Sequence, residues 1–132
     1  MTRTLLVVDD EPVVLDVLTA VLTSRGYSVL PAHNAVEALQ LFRSHHGPID
    51  LLLTDVVMPD MTGPDLADAL AREQPGLKVL FIAGLPDTPV IRNSILARGL
   101  DLLPKPFDPR ELIRRVEKVL EPPKVQIAGC EN

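Results

Sequence analysis

The chain has no tryptophan, one tyrosine and three phenylalanines, so aromatics are only 3% of its residues and any core must be built from Leu, Val, Ile and Ala. Its one cysteine, Cys130, cannot form an internal disulfide, which excludes a disulfide-stapled secreted scaffold. That residue reads as an exposed tail thiol. No stretch is strongly basic and the formal net charge is -5. Direct nucleic-acid binding needs a basic footprint, so none is expected. No apolar run approaches the ~20 residues of a membrane span, and no signal-peptide pattern precedes the first apolar segment. A cytoplasmic location without membrane contact is the default expectation.

With 132 residues, 46% of them hydrophobic, the chain is long enough for one domain with a single substantial core. Short apolar runs bounded by turn signals predict buried strands at Arg3 to Val8, Ser28 to Pro31, Ile49 to Thr54, Lys78 to Ala83 and Asp101 to Leu103. Helical patterns follow each of them. The first opens near Pro12 and stops at Gly26, with Val14, Val17, Leu18 and Val21 inward. The second is capped by Asn34, with Glu37 as capping-box partner, and buries Ala38, Leu39 and Phe42. The third buries Leu66, Ala67 and Leu70. The fourth starts at Thr88-Pro89, turns Ile91, Ile95 and Leu96 inward and ends at Gly99. The fifth opens at Asp108-Pro109, buries Leu112, Val116, Val119 and Leu120, and stops at Pro122-Pro123. Strand and helix in alternation imply an α/β fold: a doubly wound, five-stranded parallel sheet with helices on both faces.

Three of the apolar runs end in charged residues. The first runs into Asp9-Asp10, the third into Asp55 and the fifth into Lys105-Pro106. Ligands of open parallel sheets bind beyond the carboxyl ends of the strands, so these carboxylates and one ammonium are expected at one rim. Crowded carboxylates repel, and a divalent cation such as magnesium relieves the repulsion. An Asp held beside such a cation can act as a nucleophile toward a phosphoryl group, and a lysine there can pair first with the carboxylate and then with a phosphoryl oxygen. Taken singly, Asp9-Asp10-Glu11 reads better as a helix cap, Asp55 as a turn residue and Lys105 as a surface lysine. A cis bond at Lys105-Pro106 is a candidate for the turn that aims the lysine inward. His33, His45 and His46 fall near the ends of the second helix, away from this rim.

The motifs Val7-Val8-Asp9-Asp10-Glu11, Asp55-Val56-Val57-Met58-Pro59 with Gly63, and Lys105-Pro106-Phe107, in this order and spacing, resemble the receiver domain of bacterial two-component response regulators. The resemblance implies a (βα)5 sheet of order 2-1-3-4-5, with a receiver domain over residues 1–121 and a loose tail over 122–132. It implies that Asp55 is a phosphoacceptor served by a sensor histidine kinase or a histidine phosphotransfer protein, or by small donors such as acetyl phosphate. Asp10, Asp55 and the Val57 backbone carbonyl would hold magnesium, or manganese, with Asp9 acting through a metal-bound water. Lys105 and the backbone of Ala83 and Gly84 would bind the phosphoryl oxygens. Such a chain assists its own phosphorylation and is not an enzyme in the ordinary sense. Its output would pass to a downstream target through helix 4, strand 5 and helix 5, a surface that also serves homodimers in the family.

Two positions depart from that pattern. Ala83 stands where receivers carry Thr or Ser, and Leu102 where they carry an aromatic. Both are switch positions, so phosphorylation is expected to survive with a weak or unconventional structural readout. Thr88 lies too far along the chain to replace the missing hydroxyl. Val57 and Leu85 flank the family's path for hydrolytic water and cannot orient it, which predicts a long-lived phosphoryl group. The competing reading is a phosphorylation-independent pseudo-receiver, an interaction module, which Ala83 and Leu102 favour and the intact Asp9, Asp10, Asp55 and Lys105 set opposes. A phosphatase of the haloacid dehalogenase type would need a carboxylate where Val57 stands. A flavin site would need a polar phosphate loop where the acidic run stands, and there is no P-loop.

Overall fold

The computed structural model describes residues 2–84, 93, 97 and 101–120. Among them run β1 (Thr4–Val8), α1 (Pro12–Ser24), β2 (Ser28–Ala32), α2 (Ala35–Ser44), β3 (Leu51–Asp55), α3 (Gly63–Glu73), β4 (Lys78–Ala83), β5 (Asp101–Pro104) and α4 (Pro109–Leu120). Of the helix expected from Thr88 to Gly99 only Asn93 and Ala97 are described, both helical and exposed; its other residues, Leu85, and the tail 122–132 with Cys130 lie outside the described residues.

The strands form one parallel sheet in the order β2-β1-β3-β4-β5. Side chains on each strand alternate between two apolar layers, as the strand period of two requires. Leu6, Val8, Leu52, Phe81, Ala83 and Leu102 face one layer, with residues of α2 and α3. Leu5, Val7, Leu51, Leu53, Ile82 and Leu103 face the other, with residues of α1 and α4. Burial on both faces explains why the strands read as continuous apolar runs rather than alternating ones.

Helix ends follow local chemistry. Gly26 has φ +91°, and its N–H donates to the Thr23 carbonyl while the Tyr27 N–H donates to Leu22, a Schellman closure of α1. The Asn34 side chain accepts from the Glu37 N–H at 2.8 Å, and Thr62 caps α3 at the Asp65 N–H. Asp108 accepts from the Arg110 N–H at 2.7 Å at the start of α4.

The buried stripes of α1 and α4 differ in part from expectation. The α1 stripe is Leu15, Leu18 and Leu22, whereas Val17 is 42% exposed and Val14 and Val21 are only partly buried. The helix carries apolar residues on two overlapping stripes offset by one residue, and helical spacing fits both. In α4 the buried set is Leu112, Ile113, Val116 and Leu120, with Val119 at the margin.

Candidate functional site

Asp9 directly follows β1, Asp55 ends β3 and Lys105 directly follows β5, so the carboxyl ends of the neighbouring β1 and β3, and of β5 one strand beyond β4, deliver all three to one rim. Each backbone is pinned. The Asp9 N–H donates to Ala32 at 3.1 Å, and its Oδ1 accepts from the Glu11 N–H at 2.9 Å. The Val56 N–H donates to Ile82 at 3.0 Å, fixing the chain just past Asp55. The Lys105 N–H donates to the Ala83 carbonyl at 2.7 Å, and the Lys105–Pro106 bond is cis.

The Lys105 ammonium is shared. Its Nζ lies 2.9 Å from Glu11 Oε1, 3.1 Å from Asp55 Oδ2 and 3.1 Å from Asp9 Oδ2. The Glu11 and Asp55 contacts are hydrogen bonds. The Asp9 contact has ion-pair distance without hydrogen-bond alignment, which leaves Asp9 Oδ2 a fully buried oxygen lacking a donor. Burial pushes the Asp9 and Asp55 carboxyls above the ordinary aspartate range, although Lys105 pulls both down. Burial also opposes the Lys105 charge, but the Glu11 hydrogen bond and the nearby Asp9 and Asp55 carboxylates hold its pKa above the usual lysine value. One ammonium divided among three acids stays charged while no single acid receives its full compensation.

The cleft over this cluster has a volume of about 780 Å³ and is lined by Asp10, Glu11, Asp55, Val57, Gly84 and Lys105, among others. Asp10 is exposed on its wall and lies outside the trio Asp9, Glu11 and Asp55, whose ligand oxygens are within 4.8 Å of one another. Val57 follows Asp55 with its side chain 53% exposed. Gly84 lies against the Lys105 stem, where an added Cβ would stand 3.5 Å from Cδ. Ala83 and Leu102 are both buried in the layer shared with α2 and α3. The Leu102 carbonyl is bound by Arg115, which also pairs with Asp101 and Glu111 and so ties β5 to α4. None of the three histidines belongs to the cluster; His33 pairs with Glu37 at 3.1 Å.

Three contributors were not legible as site residues. Glu11 reads from the sequence as part of an acidic cap and of the first motif but not as a site residue; its signal is a third consecutive acid after a strand. Gly63 packs so closely that an added Cβ would stand 2.4 Å from the Asp55 carbonyl oxygen. Asp60 accepts from the Ala35 and Val36 N–H groups at 3.2 and 3.1 Å, tethering the loop after Asp55 to the start of α2. Desolvation alone would raise the Asp60 carboxyl, but the backbone bonds from Ala35, Val36 and its own N–H together hold it below its ordinary range. Asp60→Ala is expected to cost about 1 kcal/mol as a lost cap, read as a lower urea midpoint with an unchanged m-value.

The donor set fits a hard divalent cation. Asp9 offers a buried, undonated oxygen, Asp55 a second carboxylate and Asp10 a free one beside them; all-oxygen ligation of this kind suits magnesium or manganese and not a soft metal.

The family model "Response regulator receiver domain" matches residues 5–117. Among curated relatives, the response regulator receiver protein CpdR of Brucella abortus is 37% identical over 91% of this chain and 98% of its own length. Sensor kinase CckA of the same organism is also 37% identical over 91% of this chain, which spans only 13% of that kinase. A crystal structure of a CheY-like response regulator receiver domain protein from Methanospirillum hungatei superposes with a TM-score of 0.80 at 29% identity, covering 91% of this chain and 94% of that one. Strand order, rim residues and these similarities converge: the chain belongs to the receiver domain family of two-component response regulators.

Proposed function

We propose that Asp55 is a phosphoacceptor that takes a phosphoryl group from a phosphohistidine. The observation that carries this reading is Asp55 at the floor of an open cleft with the Lys105 ammonium 3.1 Å from its Oδ2. A carboxylate oxygen of Asp55 forms the new O–P bond as the donor's P–N bond breaks, and the departing imidazole takes up a proton. Lys105 supplies positive charge where phosphoryl oxygens accumulate. Asp9, Asp10, Asp55 and the Val57 carbonyl would hold magnesium or manganese. The bound ion neutralises charge on the carboxylates and the transferring group. The chain thus acts as a phosphoacceptor and not as a turnover enzyme.

The donor is a sensor histidine kinase or a histidine phosphotransfer protein. Val13, Val17 and Val57 are 75%, 42% and 53% exposed and all line the cleft, an apolar landing surface beside the reacting carboxylate. Similarity to both a free-standing receiver protein and a segment of a sensor kinase is compatible with either setting. No helix among the described residues is long and apolar enough to cross a membrane, and a cytoplasmic site of action is part of this reading. Ala83 brings no hydroxyl to the phosphoryl group, so the readout toward β5 and α4 is weak, and the downstream target and any homodimer engage that face.

Incubation with acetyl phosphate and magnesium tests the proposal. One added phosphoryl mass on the intact chain, mapped by peptide mass spectrometry to Asp55, is expected. No adduct would overturn it in favour of a phosphorylation-independent module, and an adduct on another residue would overturn Asp55 as the acceptor.

A further inference from the structure

We propose that Glu11 is a positioning residue for Lys105, holding its ammonium before phosphorylation and competing with the incoming phosphoryl group for it. The inference rests on Asp55 being the phosphoacceptor. Glu11 occupies the N-cap of α1 with extended backbone (φ -92°, ψ 112°) yet makes no side-chain cap bond. Ser, Thr, Asp or Asn would normally close the orphan N–H groups there. The Glu11 carboxylate instead crosses to Lys105 Nζ at 2.9 Å. Its own backbone N–H is held by Asp9 Oδ1, so main chain and side chain are both committed to the cluster.

The closeness of Asp9, Glu11 and Asp55 follows from this sharing. Three oxygens each 2.9 or 3.1 Å from one nitrogen must lie near one another. Glu11 therefore belongs to the ammonium, while Asp10, on the cleft wall outside the trio, is left for a cation. An ammonium has three donors; Glu11 and Asp55 accept from this one, and the Asp9 carboxylate crowds it at 3.1 Å without accepting a bond. A phosphoryl oxygen therefore shares Lys105 with these acids and gains most when one of them lets go. Asp9 is fully buried and Asp55 nearly so, whereas the Glu11 side chain is 59% exposed and regains water on release. Glu11 is the partner that yields, and its hold is the resistance the phosphoryl group must overcome.

Glu11→Gln keeps the length and removes the charge; Glu11→Ser removes the reach and restores a favoured cap, which guards against loss of fold. In magnesium-free protein, the Lys105 Nζ resonance should shift in both variants relative to wild type. Phosphorylation by acetyl phosphate at fixed magnesium should then speed up about three-fold, the scale of one exposed ion pair, and the gain should vanish when Lys105 is also replaced by Ala. Magnesium affinity, by calorimetric titration, should stay unchanged. An unmoved resonance, an unchanged or slower rate, or an equal gain without Lys105 overturns the proposal. So does an affinity loss of about ten-fold, which would make Glu11 part of the metal shell. If wild type takes no phosphoryl group on Asp55, the phosphoacceptor reading falls and the competition with it, while the resonance still reports whether Glu11 holds Lys105.

Discussion

Gly63→Ala is expected to destabilise the fold by about 3 kcal/mol, near the upper end of what an overpacked core site costs, and to slow phosphorylation of Asp55 at least ten-fold below the melting range. The position is the first residue of α3, where alanine is a good helix former, so propensity alone predicts a gain. Sterics decide the outcome. The new Cβ would stand 2.4 Å from the Asp55 carbonyl oxygen, 3.1 Å from Val56 Cα and 3.2 Å from the Asp55 carbonyl carbon. These are backbone atoms, which cannot swing aside as a side chain does. The Gly63 N–H also donates to the Val56 carbonyl at 2.7 Å, so pushing α3 away breaks the bond that closes the loop behind the phosphoacceptor. Urea unfolding measures the stability term, and the acetyl phosphate time course at low temperature measures the second. A variant as stable and as reactive as wild type would mean that the loop slides past the methyl without moving Asp55.

That example marks where sequence reasoning stops. Asp9, Asp55 and Lys105 were readable because each ends or follows an apolar run, and a parallel sheet brings strand ends to a common rim. Gly63 was readable as part of a motif but not as a steric requirement, since the contact joins a helix start to a carbonyl eight residues earlier. The Asp60 tether joins a loop to a helix 25 residues back, and no periodicity signals such a bond. Glu11 fell between two roles, cap and site, which only the position of Lys105 separates. The α1 face failed for another reason: apolar residues at 13, 14, 15, 17, 18, 21 and 22 satisfy helical spacing on two faces. Val13 and Val17, exposed beside the cleft, are the surplus of that pattern.

Lys105→Ala should destabilise the metal-free protein by about 3 kcal/mol at neutral pH, because it strands buried carboxylates without their cation. The loss should shrink steadily as the pH falls. Burial raises the Asp9 and Asp55 pKa values in the folded chain, so above the unfolded value near 3.8 the folded state binds more protons than the unfolded one, and stability declines as the pH rises through that window. Removing Lys105 deletes the charge that lowers both carboxyls, which widens the window toward neutrality. Lys105 itself acts in the opposite sense: with its folded pKa raised, its contribution is complete below the unfolded value of 10.5 and disappears only as the pH climbs through the folded one. Magnesium should therefore do more for the variant than for wild type. In wild type the ammonium and the metal ion draw on the same Asp9 and Asp55 oxygens; without the ammonium, the carboxylates hold the cation more tightly and the binding free energy adds to folding. Calorimetric melting at neutral and mildly acidic pH, with and without magnesium, measures all three effects. A variant that melts with wild type at neutral pH, or gains no more from magnesium than wild type does, would show that Lys105 is not the counter-ion on which the buried acids depend.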